Sequence, residues 1–296
     1  MKFGVDVGGT TVKIGVVDQK KILDKFEIIT TKETLIEDIC RAILAYQNDH
    51  GIKTITGIGF GMPGNIRNNY IYNLPNIGIK EMDLVQEVHR FIPDVPVASG
   101  NDANVAALGE MIYHQEYENA CMITLGTGVG GGIILGGHIL EGVHGNAGEI
   151  GHMPIADDYN FDCGCGLKGC LETVASATGI VRLARHHRND FQSQLKEPFT
   201  AKDIFQLAVK NDPLCCFVVD RLCYYLAKCI AVLSVVVDVD VYYIGGGVSK
   251  AGSVLVDGII KHYRQMAHFA VKDVTIQQAT LLNDAGMLGA ASLIED

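Results

Sequence analysis

The chain has 296 residues, of which 48% are hydrophobic, and a formal net charge of −10. This length favours two domains over one, and the negative charge argues against the broad basic surface that nucleic-acid binding requires. The apolar run at residues 230–237 is far shorter than the roughly 20 residues that span a bilayer, and the N-terminus does not resemble a secretory signal. We therefore expect a cytoplasmic protein that binds neither nucleic acid nor membrane.

Nine cysteines occur in a chain without a recognisable export signal. A reducing cytosol keeps thiols free, so a disulfide framework is not expected. Metal binding, or burial as small apolar side chains, is the better explanation. Six of the cysteines lie in apolar or helix-like stretches and are expected in the core: Cys40, Cys121, Cys215, Cys216, Cys223 and Cys229.

The first part of the chain alternates strand and helix patterns. Residues 3–7 and 12–17 are β-branched runs on either side of GGTT, which predicts a hairpin with a glycine-rich turn. Thr34 and Glu37 predict a capping box at the start of an amphipathic helix. TITGIGFGMPG is typical of a buried strand, and VPVASGNDANVAALGEM predicts a strand, a polar turn and a helix that starts near Asp102.

The pattern then restarts. ACMITLGTGVGGGIILGG predicts two apolar strands joined by a Gly-Thr-Gly turn, as in the N-terminal hairpin. Helices are expected at residues 171–185 and 213–233, VDVYYIGGGVSKAG is typical of a strand that runs into glycines before another helix, and DAGMLGAASLI is helical in pattern. The repeated strand, turn and strand suggest two similar α/β halves that meet at a hinge.

Three glycine clusters follow apolar strands. Glycine lets backbone N–H groups approach an anion closely, and threonine hydroxyls add donors, so these clusters suit phosphates; tight turns are the alternative. GTGVGG has the spelling of a dinucleotide-binding turn, but a strand follows where that motif requires a helix, and no G-x-x-x-x-G-K-[ST] occurs. The clusters are Gly8-Gly9-Thr10-Thr11, Gly126-Thr127-Gly128 with Gly130 to Gly132, and Gly245-Gly246-Gly247.

Asn101 and Asp102 lie just beyond a predicted strand, where open α/β sheets commonly bind ligands. An aspartate at such a position could accept the proton of an attacking hydroxyl and hold its oxygen in line with a phosphorus atom. A helix N-cap is the alternative explanation. The two roles are compatible.

The stretch GEIGHMPIADDYNFDCGCGLKGCLE gathers one histidine and three cysteines. Their number and types are those of a closed, tetrahedral structural zinc site, and the glycines between them let a short loop fold around one ion. Free thiols are the alternative. The four candidate ligands are His152, Cys163, Cys165 and Cys170.

Two carboxylates in the same stretch, Glu149 and Glu172, are hard ligands that do not belong to this soft set. Paired carboxylates suit adjacent hydroxyls of a polyol, whereas ordinary solvated acidity is the alternative. An imidazole has two ring nitrogens, so His152 can bind zinc through one and leave the other for a hydrogen bond.

The motifs DVGGTTVK, GMPG, NDAN, TLGTGVGGG, GEIGH, CGCGLKGCLE and IGGGVS, in this order, resemble those of the ROK family of bacterial sugar kinases, and of ROK glucokinases in particular. The resemblance covers nearly the whole chain. It implies the actin/hexokinase-like, ribonuclease H-like ATPase fold, with two α/β lobes around a central cleft. It also implies assembly as a homodimer or homotetramer.

The resemblance assigns a role to each matching residue. Asp102 is implied as the catalytic base. The implied substrate-binding residues are Gly64, Asn101, Asp102, Glu149, His152 and Glu172. Those implied near the nucleotide and Mg²⁺ are Asp6, Gly8, Gly9, Thr10, Thr11, Lys13, Gly126, Thr127, Gly128, Gly245, Gly246 and Gly247. His152, Cys163, Cys165 and Cys170 match the zinc ligands of the family.

The resemblance also divides the chain. An N-terminal lobe of residues 1–115, joined by a C-terminal helix at 284–296, is expected to carry the sugar and phosphate side. A second lobe, residues 116–283, is expected to contain the zinc loop at 148–172 and the adenosine-side loop at 244–250. Gly100 and the PNIGI stretch at residues 75–79 depart from many relatives, and both bear on sugar preference.

The implied reaction is ATP-dependent phosphorylation of glucose at its 6-hydroxyl, with Mg²⁺ and a structural Zn²⁺. The alternatives are kinases for N-acetylmannosamine, mannose or allose, a sugar-binding sensor without turnover, and polyphosphate as the phosphoryl donor. A zinc-containing dehydrogenase is disfavoured because no helix follows GTGVGG. The transcriptional repressors of the family carry an N-terminal helix-turn-helix, whereas the predicted hairpin here begins at residue 3.

Overall fold

The computed structural model describes residues 1–74 and 77–295. It divides the chain into two compact units. The first comprises Met1–Glu118, Gly132–Ala147 and Leu281–Asp296, and the second comprises Asn119–Gly131 and Gly148–Thr280.

The regular elements alternate along the chain. The strands are β1 (Lys2–Val7), β2 (Thr11–Asp18), β3 (Lys21–Ile29), β4 (Gly57–Met62), β5 (Asn65–Arg67), β6 (Tyr70–Leu74), β7 (Ile79–Asp83), β8 (Val97–Asn101), β9 (Ala120–Leu125), β10 (Val129–Leu135), β11 (His138–Ile139), β12 (Val241–Gly245) and β13 (Thr275–Gln278). The α-helices are α1 (Leu35–Asp49), α2 (Leu84–His89), α3 (Asp102–His114), α4 (Glu172–Ala175), α5 (Ala177–His186), α6 (Ala201–Ala208), α7 (Pro213–Ser234), α8 (Ser253–Met266) and α9 (Ala285–Ser292).

The main sheet of the first unit has the strand order β3-β2-β1-β4-β8. β1 pairs antiparallel with β2, from Lys2 opposite Val17 to Val7 opposite Val12, which confirms the predicted hairpin. β1, β4 and β8 are parallel neighbours. Their carboxyl ends therefore lie at one edge of the sheet, where the turn after β1 and the start of α3 are also found.

α9 closes the first unit by packing on β1, β4 and α3. Its backbone comes so close to the sheet that a Cβ at Gly4 would lie 1.8 Å from the Met287 carbonyl oxygen, and one at Gly59 would lie 1.7 Å from the Ala290 carbonyl oxygen. These glycines are therefore required by packing. The predicted C-terminal helix is confirmed over α9, while Asp296, the last residue of the predicted range, lies outside the described residues, as do Pro75 and Asn76 of the PNIGI stretch.

The predicted capping box at the start of α1 is wrong. The Thr34 hydroxyl donates to the Asp38 carboxylate at 2.6 Å and caps no backbone N–H, and Glu37 pairs with Arg41. A capping box is formed instead at α6, where the Thr200 side chain and the Asp203 carboxylate each accept a hydrogen bond from the backbone of the other.

The second unit is built on a parallel sheet in which β12 lies between β9 and β13. α7 begins at Pro213 and is largely buried, as its pattern predicts. The single helix expected at residues 171–185 is instead two helices. α4 ends at Ala175, and the extended Ser176 then caps α5 by accepting a hydrogen bond from the Gly179 backbone N–H.

Five of the six cysteines expected in the core are buried, but Cys216 is exposed. Cys215 and Cys216 are neighbours on α7, and adjacent helical side chains point about 100° apart, so one apolar face does not bury both. The Cys216 thiol donates to the Ala208 carbonyl oxygen at the surface. Within residues 1–74 and 77–295, no helix is both long and apolar enough to cross a membrane.

Candidate active site

The turn between β1 and β2 is held from both sides. The Gly8 N–H donates to the Thr11 carbonyl at 3.0 Å, while Thr30, after β3, donates from its N–H to the Thr10 carbonyl and from its hydroxyl to the Gly8 carbonyl. Gly8 and Gly9 themselves are accessible. The backbone of this turn is thus ordered and open, as a site that receives an anion through N–H groups must be.

Asp6 and Lys13 are paired across the hairpin, because they lie opposite each other in the β1–β2 register. Burial raises the pKa of Asp6 to about 6, the nearby Lys13 cation opposes this rise, and the Asp102 carboxylate adds to it. Gly286 on α9 leaves room for the Asp6 side chain, because a Cβ there would lie 2.8 Å from Asp6 Cγ. The hairpin therefore holds a desolvated carboxylate beside its exposed turn, a hard oxygen ligand of the type that Mg²⁺ prefers.

Asn101, and not Asp102, caps α3. The Asn101 Oδ1 accepts hydrogen bonds from the N–H groups of Ala103 and Asn104, and its Nδ2 donates to the Gly64 carbonyl oxygen at 3.3 Å. The Gly64 backbone passes close to β6, where a Cβ would lie 2.3 Å from the Asn73 carbonyl oxygen. Asn101 therefore fixes the start of α3 and the Gly64 loop together.

Asp102, relieved of the capping role, is the first residue of α3. Its Oδ1 accepts a hydrogen bond from the Ala103 N–H at 2.9 Å. Burial nevertheless raises the pKa of Asp102 above its usual range. A carboxylate with a raised pKa is a stronger base, so this position suits proton abstraction near neutral pH.

In the second unit, the Gly126-Thr127-Gly128 turn is tied to the start of α5. The Gly126 N–H donates to the Gly128 carbonyl, the Ala177 N–H donates to the Gly126 carbonyl at 2.8 Å, and the Thr178 hydroxyl donates to the Thr127 carbonyl at 2.9 Å. With its carbonyls bound in this way, the turn is held in one conformation.

A cavity of about 790 Å³ lies beside this turn within the second unit. Gly126, Thr127 and Gly247 form part of its wall, and the two lysines Lys202 and Lys250 also line it. The remaining wall is mainly apolar and consists of Leu125, Ala177, Thr200, Ala201, Phe205, Gln206, Val209, Val248, Ala251 and Val254. The combination suits a flat apolar group joined to an anion.

The residues of the third glycine cluster have different surroundings. Gly247 lines the cavity, whereas Gly245 is buried at the end of β12. Gly246 has φ +82°, and a Cβ there would lie 2.5 Å from the Leu125 carbonyl oxygen, so both its conformation and its surroundings require glycine.

The cysteines and histidine of the GEIGH and CGCG motifs converge within the second unit. The ligand atoms of His152, Cys163, Cys165 and Cys170 all lie within 4.8 Å of one another. Cys165 Sγ and Cys170 Sγ are 3.7 Å apart, and Cys163 Sγ is 3.6 Å from His152 Nδ1. Around a tetrahedral zinc with bonds of about 2.3 Å to sulfur, neighbouring ligand atoms lie about 3.5 to 3.8 Å apart. The cluster therefore fits a structural zinc site.

Two of the three sugar-ligand candidates of the second unit, Glu149 and Glu172, flank this cluster, and the third, His152, belongs to it. His152 directs Nδ1 at Cys163, while its Nε2 lies 4.0 Å from the Glu149 carboxylate. Glu172 Oε1 lies 3.9 Å from Cys163 Sγ, and its Oε2 accepts a hydrogen bond from the Val129 N–H at 3.0 Å. One ring nitrogen of His152 thus faces the metal cluster and the other faces a carboxylate, so the two roles expected for this histidine are geometrically compatible.

Glu172 also touches the glycine turn. A Cβ at Gly128 would lie 2.3 Å from Glu172 Oε2, so the carboxylate occupies the space that any other residue would need. Glu172 is therefore in contact with both the metal cluster and the 126–128 turn.

The sequence model of the ROK family matches residues 2–296. The chain belongs to the ROK family. It is 41% identical to a glucokinase of Halalkalibacterium halodurans over 311 residues, with 99% of this chain and 94% of that protein covered. It is 34% identical to an N-acetylmannosamine kinase of Pasteurella multocida, with 99% and 96% covered.

Among solved ROK structures, the chain is similar to a glucokinase from Streptomyces griseus determined in complex with glucose and AMPPNP. The TM-score is 0.77 at 31% identity, with 99% of this chain and 98% of that chain covered. This likeness confirms the expected α/β class of actin/hexokinase-like ROK proteins.

The sequence did not single out the cavity wall contributed by α6. Thr200, Lys202, Phe205 and Gln206 belong to an ordinary amphipathic pattern, which gives no sign that one of its faces lines a ligand cavity. The Thr200–Asp203 capping box was the available signal for where that wall begins.

Replacing Asp6 by asparagine is expected to stabilise the metal-free ROK protein at neutral pH. The folded-state pKa of Asp6 is raised to about 6, so the fold favours the protonated side chain. The contribution of Asp6 to the unfolding free energy is therefore complete below the pKa of the unfolded state and is lost as the pH rises through about 6. The asparagine side chain does not titrate, so Asp6→Asn should gain about 1 to 3 kcal/mol in unfolding free energy at pH 7, and less at pH 4. Denaturant unfolding at both pH values measures this, and a gain that grows toward pH 4 would contradict it.

Proposed function

We propose that this ROK protein is a hexose kinase that transfers the γ-phosphoryl group of ATP to the 6-hydroxyl of glucose. The observation that carries the proposal is the pair of half-buried carboxylates with raised pKa, Asp6 and Asp102, at one edge of the first sheet, next to an open glycine turn. The similarity to named glucokinases over the full chain supports glucose as the substrate.

Asp102 is the proposed catalytic base. Its raised pKa suits it to accept the proton of the 6-hydroxyl, and the Ala103 N–H fixes its orientation for in-line attack. The transition state of phosphoryl transfer has little bonding to either oxygen, so positioning and charge stabilisation supply most of the acceleration.

The nucleotide is proposed to occupy the second-unit cavity through its adenosine. Gly247 would flank it, with Gly245 and Gly246 shaping the backbone that leads to Gly247, and the turn of Gly126, Thr127 and Gly128 would face its phosphates, with the N–H groups of Thr127 and Gly128 as the proposed donors. In the first unit, the proposed phosphate contacts are Gly8, Gly9, Thr10, Thr11 and Lys13. Asp6 would hold Mg²⁺, which supplies positive charge to the transferring phosphoryl group when bound.

The sugar is proposed to be bound by Asn101, Glu149, His152 and Glu172, with Gly64 contributing through its loop. The free proton of the Asn101 amide, the Glu149 carboxylate and His152 Nε2 remain able to meet hydroxyl groups. Zinc bound by Cys163, Cys165, Cys170 and His152 Nδ1 would fix the ring and the loop between the two glutamates.

A kinase for N-acetylmannosamine is the second candidate, because relatives with that name match 99% of the chain at 30 to 34% identity. A sugar sensor without turnover would not require Asp6 or Asp102, and both are present and half-buried.

A phosphorylation panel tests the proposal. Glucose, mannose, allose and N-acetylmannosamine are each incubated with MgATP or polyphosphate, and ADP release and sugar phosphate are measured. The highest kcat/KM is expected for glucose with ATP. Higher turnover of N-acetylmannosamine would establish the second candidate, and the absence of turnover with every sugar would refute the kinase.

Asp102→Asn is expected to lower kcat by about 10² to 10⁴, because the amide cannot accept the hydroxyl proton. Asparagine keeps the shape of the side chain, so circular dichroism and thermal unfolding should show an intact fold. Near-normal turnover by a folded Asp102→Asn protein would refute the assignment of Asp102 as the base.

Gly128→Ala should impair sugar binding, although Gly128 lies on the proposed phosphate turn. The new methyl group displaces the Glu172 carboxylate, which loses its bond to the Val129 N–H. A displaced Glu172 would lose its proposed hydrogen bond to the sugar, and the loss of one charge-assisted bond to the ligand corresponds to roughly a tenfold rise in the KM for glucose. Gly126→Ala is the matched control, because a Cβ there meets nothing nearer than the Gly128 carbonyl oxygen at 4.0 Å. An equal glucose KM in the two variants would contradict this account.

We also infer that the protein works in the cytoplasm as a homodimer or homotetramer. The proposed use of ATP and the free cysteines support a cytoplasmic location. The resemblance to ROK proteins, which commonly form dimers or tetramers, supports the assembly. Light scattering of the purified protein determines the oligomeric state.

A further inference from the structure

The metal loop, defined here as residues 153–171, connects the metal-ligating histidine to the last metal-ligating cysteine. It contains no helix and no extended strand among the described elements. Its two arms are joined by isolated bridges and by backbone bonds such as Ala156 N–H to the Gly169 carbonyl and Leu171 N–H to the Met153 carbonyl. The loop therefore depends on contacts from outside it for its position on the unit.

Asp158, in the turn at residues 157–159 of the metal loop, is bound by two side chains of α7. It accepts a hydrogen bond from the Tyr225 hydroxyl on one oxygen, and Arg221 Nη2 donates to its other oxygen at 2.8 Å. Arg221 Nη2 also donates to the Tyr225 hydroxyl oxygen at 2.9 Å, so the three groups close a ring. We call this ring the loop clamp.

Aromatic side chains hold the guanidinium of the loop clamp in place. The guanidinium carbon of Arg221, Cζ, lies 4.6 Å from the ring centre of Tyr224 and 5.1 Å from that of Tyr225. It lies 6.0 Å from the ring centre of Tyr159, which belongs to the metal loop. Arg221 Nε is buried without a hydrogen-bond partner among the described residues. The position of Arg221 thus depends on the rings and on Asp158.

The same face of α7 supplies another contact to the loop. Lys228 donates to the Ile155 carbonyl at 2.8 Å and lies 3.3 Å from the Asp157 carboxylate. Arg221, Tyr225 and Lys228 follow the i, i+4, i+7 spacing of one helix face. α7 is a firm support, because it is the longest described helix, is largely buried and packs against α5, α6 and α8.

We propose that the loop clamp of Asp158, Arg221 and Tyr225 positions the metal loop, so that it governs metal retention by the Cys₃His cluster and affinity for the sugar. These are positioning residues, because they act through the loop and do not touch the metal ligands. Exposed ion pairs add little to global stability, and Asp158 is 54% exposed. The clamp is therefore expected to order one loop more than to stabilise the fold.

Two neighbouring tyrosines provide a matched test. Tyr225→Phe removes the hydroxyl at the centre of the clamp and keeps the packed ring. Tyr224→Phe is the same change on the adjacent residue, whose ring also packs on Arg221 but whose hydroxyl makes no hydrogen bond to the metal loop among the described contacts. Zinc-loaded proteins are mixed with a chromogenic chelator to measure the rate of zinc transfer, and the KM values for glucose and ATP are measured in parallel.

Tyr225→Phe should raise both the zinc-transfer rate and the glucose KM by about tenfold, within the range seen when outer contacts of metal sites are removed. Its ATP KM and all values for Tyr224→Phe should stay near wild type. Equal zinc-transfer rates in the two variants would overturn the clamp. Faster transfer with an unchanged glucose KM would overturn its link to sugar affinity.

The effect on sugar affinity rests on the proposed function, whereas the effect on metal retention does not. If no sugar is phosphorylated, the zinc-transfer rates still decide the proposal. If Tyr225→Phe fails to fold, Asp158→Asn replaces it, because it removes the charge of an exposed side chain and should speed zinc transfer in the same way. An Asp158→Asn protein that folds and transfers zinc at the wild-type rate would refute the clamp.

Discussion

In the second unit, His152 Nδ1 faces Cys163 Sγ at 3.6 Å and Cys165 Sγ faces Cys170 Sγ at 3.7 Å, in a stretch of chain with little regular structure. Backbone hydrogen bonds join the two arms of this stretch to each other, and a shared ion would in addition bind those arms to His152. The same ligands determine where the flanking carboxylates lie, because Glu149 is three residues before His152 and Glu172 is two residues after Cys170. The position of the proposed sugar ligands therefore depends on the metal cluster.

Glu172 connects that cluster to the proposed phosphate turn at residues 126–128. One of its oxygens lies near Cys163, and the other accepts the Val129 N–H and fills the space beside Gly128. A few residues later, Ala177 and Thr178 bind the carbonyls of the same turn. One short segment at the start of α4 and α5 thus contacts both proposed binding regions of the unit. A structural change in one proposed binding region therefore reaches the other through this segment.

The sequence predicted the features that local chemistry specifies. Turn residues predicted the hairpin, and the type and spacing of the candidate ligands predicted the Cys₃His cluster. Features that depend on tertiary packing were missed. The sequence around Thr34 matches a capping box, but the Thr34 hydroxyl binds the Asp38 carboxylate. The residues of α6 that line the cavity follow an ordinary amphipathic pattern. The loop clamp was not predicted either, because Asp158 and Tyr225 are 67 residues apart in the chain. No spacing rule relates residues that only the fold brings together.

The measurement that tests this account most directly is the affinity for glucose and for a nucleotide analogue before and after zinc removal. A chelator strips the metal, Mg²⁺ is restored, and both ligands are titrated by calorimetry while circular dichroism monitors the fold. Glucose binding is expected to weaken by about tenfold or more, nucleotide binding is expected to change much less, and added zinc is expected to restore glucose binding. Equal weakening of both ligands, or no change in either, would contradict the claim that the metal cluster positions the sugar ligands.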